Sequence, residues 1–145
     1  MTTTAACDKL RRVRRALIVC GLAAALLAAS ATAASSPLAG VFQVTIKGKI
    51  TALNGTWLVS IAPNGAYAIV KEPSTKTVLI GGTSAVSGTK ITFHDKTGPL
   101  ACAGASAVGK YSWSLSGKTL KLTKVADACG GRALVLTSST LAKVR

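Results

Sequence analysis

Beyond position 33 the side chains able to do acid–base chemistry are few: one histidine, His94, and three acids, Glu72, Asp95 and Asp127. General acid–base catalysis needs titratable groups held within reach of the same substrate atom. His94 and Asp95 are neighbours on a strand-like segment, so their side chains point to opposite faces. They read as a solvated pair at a strand end. Serines are plentiful, but the nearest approach to a Gly-x-Ser-x-Gly elbow, Gly104-Ala105-Ser106-Ala107-Val108, fails at its last position. The three acids fall in separate turns, which does not suit the paired carboxylates of glycoside hydrolysis. The glycines also fall at turns and form no phosphate-binding loop. The sequence therefore predicts no catalytic residue, no cofactor and a chain that is not an enzyme.

Thiol chemistry is the remaining candidate. Of four cysteines, Cys7 and Cys20 lie in an N-terminal segment with the three parts of an export signal. Lys9, Arg11, Arg12, Arg14 and Arg15 form its basic end, and an apolar run extends from Ala16 to Ala29. Ala31-Thr32-Ala33 then offers a small-residue cleavage site before Ala34. At ~14 residues the apolar run is short of the ~20 needed to span a bilayer as a helix. Residues 1–33 are thus expected to be a cleavable signal-peptide helix, with no stable membrane insertion afterwards. The product is expected outside the cytoplasm, released from the cell or held in the envelope or periplasm. In that oxidising setting Cys102 and Cys129 most simply form one disulfide. Two thiols and one distant histidine do not fill a tetrahedral metal shell, so no metal is expected.

Removing 33 of 145 residues leaves 112, one domain's worth of chain. The leader takes five basic residues and Asp8 with it, leaving 13 of 18 bases and 3 of 4 acids. The net charge of the remainder is +10, almost all of it lysine.

These residues are positioned by a rhythm of short alternating segments separated by turns. Residues 34–39, with Pro37, form a connector to a domain over 40–145. Phe42, Val44 and Ile46 share one face of a first strand; Trp57, Val59 and Ile61 share one face of a second. Pro63-Asn64-Gly65 is a hairpin signal, since Asn-Gly accepts the positive φ angles of a tight turn. Tyr67 and Ile69 follow, then Val78, Ile80 and Val86, with Gly81-Gly82 marking a bulge. Ile91 and Phe93 precede a longer excursion from Asp95 to Gly109. Tyr111, Trp113 and Leu115 align, as do Leu120 and Leu122. A helical turn from Asp127 to Arg132, running on to Leu136, precedes a last strand over about 140–144. Eight strands joined mainly by hairpins predict an all-β fold, an antiparallel up-and-down barrel. A two-sheet sandwich is the alternative architecture.

Four stretches carry a family likeness: Leu53-Asn54-Gly55-Thr56-Trp57, Ile91-Thr92-Phe93, Gly109-Lys110-Tyr111-Ser112-Trp113-Ser114-Leu115, and Asp127-Ala128-Cys129-Gly130-Gly131-Arg132. Together they resemble the small bacterial secreted lipocalin-like (calycin-type) barrels, over Leu38 to Arg145. The family's Gly-x-Trp is matched by Gly55-Thr56-Trp57 on the second strand, while the first strand carries Gly40-Val41-Phe42. The resemblance implies a basic partner for that Trp: Lys143, Arg145 or Arg132. It also implies a small apolar ligand in the barrel interior.

The inward aromatics Phe42, Trp57, Tyr67, Phe93, Tyr111 and Trp113 are the residues that would line such a pocket; equally, they would fill the barrel as core. The alternative function is a structural or interaction module of the envelope with a filled barrel, its disulfide-clamped loops a contact region. An inhibitor of a secreted enzyme is a third reading. Lysines on nearly every strand or turn suit a solvated surface or weak contact with envelope polyanions. They are not interleaved with exposed aromatics as single-stranded nucleic acid binding requires, so nucleic acid is not an expected partner.

Overall fold

The computed structural model describes residues 35–74 and 76–145. The expected signal peptide, with Cys7 and Cys20, lies outside the described residues. Eight antiparallel strands close into an up-and-down barrel in sequence order. They are β1 (Gly40–Ile46), β2 (Gly55–Ile61), β3 (Ala66–Lys71), β4 (Ile80–Ser87), β5 (Lys90–Thr97), β6 (Val108–Ser116), β7 (Thr119–Ala126) and β8 (Leu141–Lys143). One α-helix, α1 (Gly130–Thr137), lies between β7 and β8.

Period-two alternation decides which side chains enter the barrel. Phe42, Val44 and Ile46 on β1 are buried, and across the β1–β2 ladder they meet Val59, Trp57 and Gly55. The same parity buries Ile69, Ile91, Phe93, Tyr111, Leu120, Leu122 and Leu141 in one continuous core. The Pro63-Asn64-Gly65 turn forms as its residues dictate. Gly65 sits at φ +84°, Asn64 Oδ1 accepts from the Ala66 N–H at 3.0 Å, and the Ala62 N–H donates to Ala66 C=O at 2.7 Å. The β4–β5 register shifts between Gly81 and Gly82, where the double glycine marks a bulge.

Closure rests on the short β8, which pairs with β1 through Lys143 and Ala142 and with β7 through Ala142 and Leu141. Closing the sheet removes the unpaired edges that template aggregation.

The two ends of the barrel differ. Tight turns close one end, at 62–65, 88–89 and 117–118. The long connections gather at the other, with two 3₁₀ turns (Thr51–Leu53 and Gly104–Ala107) and α1. In α1 the buried residues Arg132, Ala133, Val135 and Leu136 form the inward stripe of an amphipathic helix.

Several boundaries depart from the sequence reading. Residues 35–39 are more than a connector: Leu38 is fully buried in the core, and the Ser36 N–H donates to Pro63 C=O at 3.0 Å. Val78 lies before β4 and is exposed, because the chain enters the barrel only at Ile80. The helical turn is a true helix ending at Thr137.

Candidate functional site

The principal cluster of charged side chains sits at the long-loop end, inside the protein. Arg132 projects from α1 and is completely buried. Its Nη1 pairs with Asp95 Oδ1 at 2.5 Å and donates to Ala107 C=O at 2.8 Å. Its Nη2 donates to Asp127 Oδ1 at 2.7 Å and to Ser106 C=O at 3.0 Å, and its Nε to Asp127 Oδ2 at 2.8 Å. The guanidinium thus makes four hydrogen bonds and a further close ion pair with Asp95. The fork on Asp127 is bidentate, the geometry in which arginine binds carboxylate most strongly.

The carboxylates are held just as fully. The Tyr67 hydroxyl donates to Asp95 and the Tyr111 hydroxyl to Asp127. The Cys102 N–H donates to Asp95 Oδ2 at 2.9 Å, and the Cys129 N–H to Asp127 Oδ1 at 2.7 Å. The two cysteines are bridged, Cys102 Sγ to Cys129 Sγ at 2.06 Å, across 27 positions of sequence. Each half of the disulfide is therefore anchored by one of the two acids that Arg132 joins.

Burial raises both tyrosine hydroxyls far above their ordinary range, and the adjacent carboxylates add to the effect, so both remain neutral donors. For Asp127, burial pushes upward, but the hydrogen bonds from Arg132, Tyr111 and Cys129 outweigh it and leave the pKa lowered. Burial works against the charge on Arg132, yet bonding to Asp127 and Asp95 raises its pKa above the ordinary value. Gly109 is required beside this network. A Cβ there would collide with the Asp127 carboxylate and lie 2.8 Å from Arg132 Nη2.

This corrects the reading of His94 and Asp95 as a solvated pair. They do face opposite ways, but only His94 meets solvent; Asp95 is buried. The signal was available in parity, since Phe93 and Asp95 are two apart on β5 and must share the inner face.

Of the six aromatics proposed to line an interior pocket, Phe42, Trp57, Tyr67, Phe93 and Tyr111 are buried. Tyr67 and Phe93 pack edge to face with centroids 4.9 Å apart, and Phe93 and Tyr111 do so at 5.8 Å. Trp113, opposite Leu122 on β7, is only partly buried, and its Nε1 has no hydrogen-bond partner. The cation over the Trp57 ring is Lys71, at 5.4 Å, in place of the three expected candidates. Lys143 instead lies 5.9 Å over Phe42 of Gly40-Val41-Phe42. Gly40 makes room for it, since a Cβ there would sit 2.5 Å from the Lys143 Cε.

The outer wall has the opposite character. By register, the outward residues of β5, β6 and β7 set Thr92 beside Lys110, Lys90 beside Ser112, and Ser114 beside Lys121. Lysines and hydroxyls alternate there with no acid between them. Glu72 is the one exposed acidic side chain among the described residues.

Among known proteins, no family model, no curated protein and no solved structure matches this chain.

Proposed function

We propose that this chain is an exported, non-catalytic barrel module that attaches to anionic polymers of the cell envelope through its lysine-bearing outer wall. The observation that carries the reading is the fate of the acids. Asp95 and Asp127 are spent inside the protein on Arg132, so among the described residues eleven lysines and Arg145 share the surface with Glu72 alone. Unneutralised charge of one sign raises the potential over a surface and attracts polyanions at long range. The apolar segment at 16–29 and the Cys102–Cys129 bridge support export into an oxidising compartment.

The carrier reading, with a small apolar ligand in the barrel interior, has less support. The interior rings pack on one another, and the niche bordering Trp57 and Ile80 is about 140 Å3, while the larger hollow of about 580 Å3 along 39–41, 60–63 and 66–68 lies open to solvent. Pockets for ordinary small-molecule ligands run from about 300 to 1,000 Å3.

The test is binding of the oxidised protein to long-chain inorganic polyphosphate. Expected is saturable binding at about 50 mM NaCl that weakens steadily towards about 0.5 M, as screening and counterion release require. Replacing Lys90, Lys110 and Lys121 by serine should weaken it and flatten the salt dependence. No binding at low salt, or binding indifferent to salt, refutes the proposal.

A further inference from the structure

Three connections at the long-loop end are built alike, each with one apolar residue turned in and one turned out. The β1–β2 connection packs Leu53 against the core and leaves Ile50 56% exposed. The β3–β4 connection packs Leu79 and leaves Val78 42% exposed, and the β5–β6 connection packs Ala101 and leaves Leu100 48% exposed. The inner residue of each pair anchors its loop, so packing gives no reason for the outer one. The loops also hold each other. The Leu100 N–H donates to Leu79 C=O at 2.9 Å, and Lys71 Nζ donates to Ala52 C=O at 2.8 Å.

Seven large apolar side chains are well exposed among the described residues, and five of them lie at this end. They are the three tips, Val108 at the start of β6 and Val125 near the end of β7. Leu115 and Val144 are the other two, and the tight turns at 62–65, 88–89 and 117–118 carry none. Single exposed apolar residues are ordinary, whereas a gathering of them marks an interaction surface. Lys47, Lys49, Lys76 and Lys96 stand exposed around the tips, with Glu72 the one exposed acid among them.

This mixture suits a lipid surface better than a protein face. Aliphatic tips separated by lysines make no continuous patch onto which a rigid partner could close. A fluid interface closes around each tip separately and takes apolar groups about 5–10 Å deep. Lysine stems lie along such a boundary while their ammonium groups stay level with anionic headgroups.

We propose that the long-loop end docks reversibly on bilayers that carry anionic lipid, with Ile50, Val78 and Leu100 entering the interface and the surrounding lysines meeting lipid phosphates. The surface is an end of the barrel, distinct from the lysine wall on its side. It rests on the export reading only for bringing the chain to a membrane.

The test mixes the full oxidised protein, with labelled valine and leucine methyls, with phospholipid nanodiscs. About one lipid in four is phosphatidylglycerol, and a trace of lipid carries a spin label at its headgroup. Val78 and Leu100 should be relaxed at least about fivefold more than Leu115 and Val144, since a strand's length of roughly 25 Å separates the two ends. Ile50→Ser with Leu100→Ser alters only exposed side chains. It should leave the melting temperature and polyphosphate binding unchanged, and abolish the excess relaxation at Val78. Replacing Lys90, Lys110 and Lys121 by serine should do the reverse, weakening polyphosphate binding and keeping the excess. Equal relaxation at both ends means that the barrel lies on its lysine wall, and overturns the proposal. So does an absence of relaxation at both ends, or an excess that survives the double substitution.

Discussion

Replacing Arg132 by methionine tests whether the internal ion cluster holds the capped end together. The variant keeps a long apolar stem but removes five donors, leaving Asp95 and Asp127 facing each other without a cation. Removing one partner of a buried ion pair typically costs about 3–5 kcal/mol, a large part of the 5–15 kcal/mol that holds an ordinary domain. At roughly 4 °C per kcal/mol for a domain of this size, the melting temperature should fall by about 12–20 °C.

The pH dependence gives a second, sharper reading. In the wild type the Asp127 pKa is lowered, so its stabilisation is present above the ordinary carboxylate value of 3.8 and is lost as pH falls below it. In the variant Asp127 loses the guanidinium that holds its pKa down, so that pKa rises. That protein should gain stability relative to wild type as the solution is acidified from pH 7 towards 4. Thermal unfolding followed by circular dichroism at several pH values measures both effects. A triple variant, Arg132→Met with Asp95→Asn and Asp127→Asn, removes every charge and should recover at least half of the loss. A single variant that loses under about 1 kcal/mol, or a gap that does not change with pH, refutes the account.

Other outcomes follow from the same structure. Cys102→Ala with Cys129→Ala releases a 27-residue loop and should cost roughly 3–4 kcal/mol in urea unfolding on the chain-entropy estimate. Gly109→Ala should lower the melting temperature more than Gly48→Ala, because a Cβ meets the Asp127 carboxylate at Gly109 and no atom at Gly48; equal losses would mean the network yields freely. Gly65→Ala places a Cβ 2.5 Å from Ser84 C=O at a residue with φ +84°, and should destabilise by about 1–3 kcal/mol in the same assay. Trp113→Phe removes a buried indole N–H without a partner, so denaturation should show no loss or a gain of up to about 1 kcal/mol.

Strand order, the Asn64-Gly65 hairpin, the Gly81-Gly82 bulge and the Cys102–Cys129 pairing were legible because each is written locally, in alternation, turn chemistry or cysteine count. The ion cluster was not, because its members come from β5, the end of β7 and α1, and each looks ordinary in its own segment. Asp95 reads as a strand-end acid, and Arg132 as part of a helical turn and one of three candidate partners for Trp57. Only closure of the barrel shows that both face inward. Parity gave half the signal, in Phe93 and Asp95. The other half lay in Arg132 itself, the sole cation beside an apolar helical stripe. The cation over Trp57 was missed for a related reason: Lys71 reaches it across the β2–β3 ladder, and its Nζ is steadied by Ala52 C=O at 2.8 Å.

The three-residue β8 gives the barrel a seam. Every other neighbouring pair of strands is joined by at least four paired positions, whereas β8 holds β1 and β7 by two each. A few further backbone bonds, such as the Val41 N–H to Arg145 C=O at 2.8 Å, extend the join. Breathing of the native barrel should therefore begin here, with its last strand peeling away while the β2–β6 ladders stay intact. The amides of Ala142 to Arg145 should be the first in the sheet to exchange with solvent. The disulfide lies on the far side of α1 from this seam in sequence, so it cannot hold the last strand in place. The capped end is locked by covalent and ionic bonds, and the barrel opens, when it opens, along its length.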